Sequence, residues 1–290
     1  GAALSGLGNS VFHPADYAIL NGSVATPRIG RAFSLHTFAG YAGFAVAPMT
    51  MTILAAEFGW RPAVIVVGLA IATIALPMLL WGGLLQDDTS PSEVRASAPT
   101  TTVRMLLAPQ ILMLFGFFTL MATITSGMHA FAVSAMVDYH GLALGTANSV
   151  LTVFLVVSTL GILFGGPLAD RTTRHGLVTA IGLILGAITL FAVAGLPLGA
   201  VALALTLGFV GFLLGAIRPT RDMMVRAATP PGASGRVFGF VMTGLNVGAA
   251  GTPVLFGLIL DTGRPNLVFV LMGVVLVLSL GTIGLVRRRA

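Results

Sequence analysis

The sequence predicts an all-α membrane protein, a bundle of nine transmembrane helices, on three observations: its composition, the lengths of its apolar runs and an internal repeat. The 290 residues are 56% hydrophobic and only 8% charged, with a mean hydropathy of +1.00. Soluble domains carry about 25% charged residues. So few charges cannot cover a water-soluble fold, which excludes a cytosolic enzyme, a nucleic-acid-binding domain and a secreted scaffold. With no cysteine there is no disulfide, thiolate ligand or cysteine nucleophile.

A spanning helix needs about 20 mostly apolar residues. Such runs cover 1–21, 32–56, 62–83, 106–135, 142–168, 177–196, 200–217, 237–260 and 267–285. They are continuous rather than alternating, which excludes a β-barrel. Between the third and fourth runs, residues 86–104 read QDDTSPSEVRASAPTTTVR, polar and proline-bearing, as in a flexible cytoplasmic linker. The predicted organisation is three helices in 1–85, the linker in 86–105 and six helices in 106–290.

Every basic residue is arginine, and short cytoplasmic loops accumulate such residues. Placing the C-terminus inside leaves only Arg61 and Arg264 outside. This accounts for the net charge of +6 without nucleic acid.

Sliding the chain by 205 positions superimposes Gly30, Arg31, Phe33, Gly43, Ala45 and Pro48 on Gly235, Arg236, Phe238, Gly248, Ala250 and Pro253. His13–Pro14 falls on Arg218–Pro219. Two halves repeated in parallel are a transporter architecture. By this offset the partner of Leu106 falls about 100 residues ahead of Gly1, so three further helices are expected there.

Six helices, a cytoplasmic linker and six more resemble the major facilitator superfamily, here with nine of twelve helices. Residues 166–175, GPLADRTTRH, resemble that family's loop signature through Gly166, Leu168, Asp170, Arg171 and Arg174. Thr173 and His175 depart from it. Gly166 is expected to make a tight turn, Arg171 and Arg174 to lie among headgroups, and Asp170 to face the positive end of a helix beginning at Gly235–Arg236. In the family this contact latches the cytoplasmic side; the alternative is a plain basic turn. Gly40, Gly43, Ala47 and Pro48, with Gly244, Gly248, Gly251 and Pro253, form flat faces for close packing, and the first group resembles the family's antiporter signature. Residues 6–15, GLGNSVFHPA, followed by Arg31 and Ser34, resemble the fosmidomycin-resistance group of drug exporters, which implies efflux of small polar or anionic compounds.

Ionisable groups within spans are costly and face a cavity or a partner. His13 and Asp16 share a helical face with Asn9, beside Tyr17, and read as a proton-coupling pair or as a self-satisfying helix contact. Pro14 and Pro219 each free a carbonyl, so both helices are expected to kink. Arg218 and Asp222 have i,i+4 spacing for an ion pair, leaving Arg221 unpartnered. The resemblance implies that Arg218 or Arg221 meets an anionic substrate group; the alternative is part of the orientation signal. Asn9, Tyr17 and His129 are further substrate-binding candidates. His36 and His140 are expected to face headgroups or water, and the histidines are too dispersed for a metal site.

No hydrolase, zincin or phosphate-loop motif occurs, so no catalytic residue or cofactor is assigned. The sequence reads as a multi-pass, monomeric, non-enzymatic carrier of the bacterial inner membrane, with a small molecule, protons and lipid as partners. An uptake carrier or a non-transporting receptor on the same fold is the alternative.

Overall fold

The computed structural model describes residues 2–85 and 99–287; within them, nothing is stated of the side chains of 2–11, 44, 48, 78, 79, 84, 99–102 and 284–287. The long helices are α1 (Ala2–Ser23), α2 (Ile29–Phe58), α3 (Trp60–Trp81), α5 (Pro109–His140), α6 (Leu144–Arg171), α7 (His175–Gly195), α8 (Ala200–Ala228), α9 (Ser234–Asp261) and α10 (Leu267–Arg287), with a short α4 (Pro99–Leu106). Seven segments are long and apolar enough to cross a membrane, and 267–283 is a shorter apolar helix. The described residues contain no strand.

Of the linker, 86–98 lies outside the described residues, and Pro99–Leu106 is helical. Proline is preorganised for a helix start, and Met105 and Leu106 give the turn an apolar contact with the core.

Helices α5–α10 form one body, in which α6 packs on α8, α5 on α9 and α10, and α7 on α8 and α10. The α6–α8 seam is backbone on backbone. A Cβ at Gly161 or Gly165 would collide with the Phe212 or Ala216 carbonyl, and one at Gly211 or Gly215 with that of Phe154 or Ser158. In lipid, where apolar burial does not drive helix pairing, such small-residue contacts supply van der Waals attraction. Gly244 and Gly248 bring α9 equally close to Phe115 and Thr119 of α5.

The body receives α1 through α9 and α2 through α6, while α3 packs on α2. The helices run on through Pro14, Pro219 and Pro253. Pro14 is also a packing surface, its carbonyl and ring facing Gly235 and Gly239 of α9. Among the described residues nothing packs on Gly40 or Gly43 of α2, which are exposed with no atom within 4 Å of an added Cβ. The Pro48 side chain lies outside the described residues.

Candidate functional site

The site lies along the line on which the repeats meet. Positions 205 apart in sequence face each other there. The Tyr17 hydroxyl donates to Asp222 Oδ2 at 3.0 Å, and Arg226 Nε donates to Asn21 Oδ1 at 2.7 Å. Phe33 and Phe238, another such pair, lie 6.0 Å apart with the Tyr17 ring stacked on Phe238 at 4.2 Å. Contacts between equivalent residues are expected where a local two-fold axis passes, because each residue then meets its own symmetry mate.

On the α8 side the charges are matched. Asp222 is fully buried and accepts from Arg221 Nε at 3.0 Å, with Arg221 Nη2 at 2.8 Å. The Arg221 guanidinium also lies 4.0 Å from the centre of the Phe118 ring. The expected Arg218–Asp222 ion pair is therefore replaced. Asp222 turns toward Tyr17 and its own neighbour Arg221, since a buried carboxylate is stabilised by every donor within reach. Among the described residues Arg218 has no ion pair; its guanidinium lies over the Tyr41 ring of α2 at 4.4 Å, and its Nε is buried without a hydrogen bond. Of the two arginine candidates, Arg218 is the one without an ion pair among the described residues.

On the α1 side the charges are unmatched. His13 and Asp16 share a face as expected, but the carboxylate's nearest cationic candidate is His36 of α2, with Asp16 Oδ2 and His36 Nε2 3.7 Å apart. One donor atom from each of the three lies within 4.8 Å of the others. His13 Nδ1 and Asp16 Oδ2 are buried with no hydrogen-bond partner. The expectations that His36 faces water and that the histidines are dispersed are thus corrected, because the turn between α1 and α2 folds the two helices side by side. His140 closes α5 rather than standing in a loop, with its ring 6.0 Å from Phe269. His129 is exposed on α5, outside the three-residue group. The Asn9 side chain lies outside the described residues.

The third part is the end of α6. Asp170 accepts from the Gly30 N–H and from Arg31 Nε, each at 2.7 Å. It sits at the positive N-terminus of α2, where an anion is favoured. The partner expected from sequence, Gly235–Arg236, is the repeat equivalent of this one; α6 packs on α2, so the carboxylate meets the other copy. Gly166 is corrected as well. It is buried inside α6, not at a turn, and an added Cβ would stand 2.6 Å from the Ser34 Cβ. That close approach lets the Ser34 hydroxyl donate to the Ile162 carbonyl at 2.6 Å. Arg171 and Arg174 are exposed beyond it.

Sequence reasoning assigns no contact to Ser34, Asn21, Arg226 or Tyr41. The first three could have been found, since Asn21 and Arg226 stand at repeat-equivalent positions and Ser34 one turn from Gly30. Tyr41 carries no such signal.

The Major Facilitator Superfamily model matches residues 1–127 and 115–290. The chain is 27% identical over 190 residues to the Fosmidomycin resistance protein of Escherichia coli (strain K12), covering 64% of this chain and 45% of that protein. It is 26% identical over 175 residues to the Uncharacterized MFS-type transporter YfnC of Bacillus subtilis (strain 168), covering 57% of this chain and 41% of that one. It thus spans less than half the length of either relative. With the family model matched along both halves, all-helical and doubled about one axis, the chain belongs to the Major Facilitator Superfamily.

Proposed function

We propose that the protein is a secondary transporter that exports a small organic anion across the bacterial inner membrane in exchange for protons. The observation that carries this reading is the pairing of repeat-equivalent residues across one axis, Tyr17 with Asp222 and Asn21 with Arg226. Two halves whose equivalent residues meet on a shared axis can rock about it, and rocking around a central site is how repeated halves give alternating access.

The roles follow from which groups are satisfied. Asp170, Gly30, Arg31, Asn21 and Arg226 close the face that carries most of the arginines, which is assigned as cytoplasmic, with the C-terminus on the same side. Arg218, lacking an ion pair beside the Tyr41 ring, binds the anionic group of the substrate by charge-assisted hydrogen bonds. Asp16 and His13 carry the proton, since ionisable groups with unsatisfied atoms within a span are expensive unless they work. His129 is assigned to the substrate path, and Asn9 joins it on the sequence reading alone. The word "resistance" in the name of the Escherichia coli relative supports the outward direction, and the protein acts as a monomer.

The test uses inverted membrane vesicles holding the full-length protein under an imposed proton gradient, scored with a pH-sensitive dye while phosphonates, carboxylates and cationic drugs are added in turn. The expected result is dissipation by an anionic class alone, abolished by Asp16→Asn and by Arg218→Ala. Dissipation by cations, or dissipation unchanged in Asp16→Asn, refutes the assignment.

A further inference from the structure

We propose that His13, Asp16 and His36 form a binding site for one divalent cation of the zinc class. Three potential ligands from two helices converge, with one donor atom of each within 4.8 Å of the other two. Two of these side chains hold a buried polar atom with no hydrogen bond, His13 Nδ1 and Asp16 Oδ2. Buried polar atoms are otherwise nearly always satisfied. Their lone pairs point to a ligand that accepts electron pairs.

The donor set selects the ion. Two imidazoles and one carboxylate suit zinc, cobalt or nickel, whereas calcium and magnesium take oxygen ligands. Zinc lies about 2.0–2.2 Å from such donors, which in a tetrahedron sets them roughly 3.4 Å apart. Asp16 Oδ2 and His36 Nε2, at 3.7 Å, are already near that spacing. His13 and Asp16, three apart, present their side chains on the same face of α1. Three protein ligands leave a fourth position open for water or for an anion. The nearby positive charge of Arg221 is compensated by Asp222.

Metal binding here does not depend on the transport reading, but its consequence does: if Asp16 and His13 carry the proton, a bound zinc ion stops the exchange. Equilibrium binding and flux therefore separate the two ideas.

The experiment titrates Co2+, and then Zn2+ in competition, into the purified full-length protein in detergent micelles, read by the visible absorption of four-coordinate cobalt and by equilibrium dialysis. One ion per chain is expected. Affinity should fall at least about tenfold in His36→Ala, in His13→Ala and in Asp16→Asn, and stay unchanged in His175→Ala. His36→Gln, which keeps the size of the side chain, replaces His36→Ala if that variant does not elute as the folded protein. The proposal is overturned if the folded wild-type protein shows no saturable binding, or if binding keeps its affinity when His36 is replaced.

Discussion

Helices α1 and α8 stand at equivalent places in the two halves, yet their polar residues are nearly opposite in kind. His13, Asp16, Tyr17 and Asn21 on α1 correspond to Arg218, Arg221, Asp222 and Arg226 on α8. On α8 the carboxylate is fully buried and held by three donors. On α1 the carboxylate is only part-buried, with an oxygen that accepts no hydrogen bond and stands 3.7 Å from His36 Nε2. The repeat preserves the scaffold and not the chemistry. A charge that is fully matched holds the halves in place, whereas one left unmatched within a span is available for work.

The largest effect expected from this contrast is on stability. Replacing Asp222 by Asn leaves the Arg221 guanidinium buried without its counter-charge. Removing one partner of a buried ion pair costs about 3–5 kcal/mol, so Asp222→Asn should unfold well below the wild type in a thermal melt followed by size exclusion. The comparison then predicts the opposite for Asp16→Asn. That carboxylate has no hydrogen bond to lose at Oδ2, so the melting temperature should fall far less than in Asp222→Asn while proton flux is lost. Equal losses of stability in the two variants would erase the distinction between the helices.

A smaller effect falls on the contact that joins the two helices. Tyr17→Phe keeps the ring stacked on Phe238 and removes one hydrogen bond to a charged acceptor, worth about 1.5–3 kcal/mol. Because this bond ties one half to the other, its loss should also favour separation at the arginine-rich face. Cysteines at Asn21 and Arg226, in the Tyr17→Phe background, should cross-link less readily than in the otherwise wild-type chain.

How much of this could be read beforehand depended on distance in sequence. The helices were legible because apolar runs of the right length admit no other structure in lipid. The doubled architecture was legible because Gly30–Arg31 and Gly235–Arg236 survive at a fixed offset. Pairings between helices were not: Asp170 was matched to Gly235 although it caps Gly30, since a repeat offers two identical targets and only packing chooses between them. Helical spacing alone pairs Arg218 with Asp222, a rule for isolated helices that ignores Tyr17 arriving from another segment. The sequence leaves His36 isolated for the same reason, although the turn after α1 brings it back beside Asp16.

The smallest expected effect separates the two donors that hold Asp170. The Gly30 amide is bonded to a carboxylate that is only 5% exposed, whereas the Arg31 side chain is 56% exposed. Exposed ion pairs contribute little, about 0–1 kcal/mol. A carboxylate at a helix N-terminus contributes about 0.3–1 kcal/mol, and up to roughly 2 kcal/mol when partly buried. Arg31→Ala should therefore change the melting temperature less than Asp170→Asn does. High salt should reduce the effect of the first variant and leave that of the second, because screening acts on exposed charge and hardly on a buried amide contact. If Arg31→Ala were instead as damaging as Asp170→Asn, the latch would be an ion pair rather than a capped helix. Its strength would then follow the ionic strength of the medium on that side of the membrane.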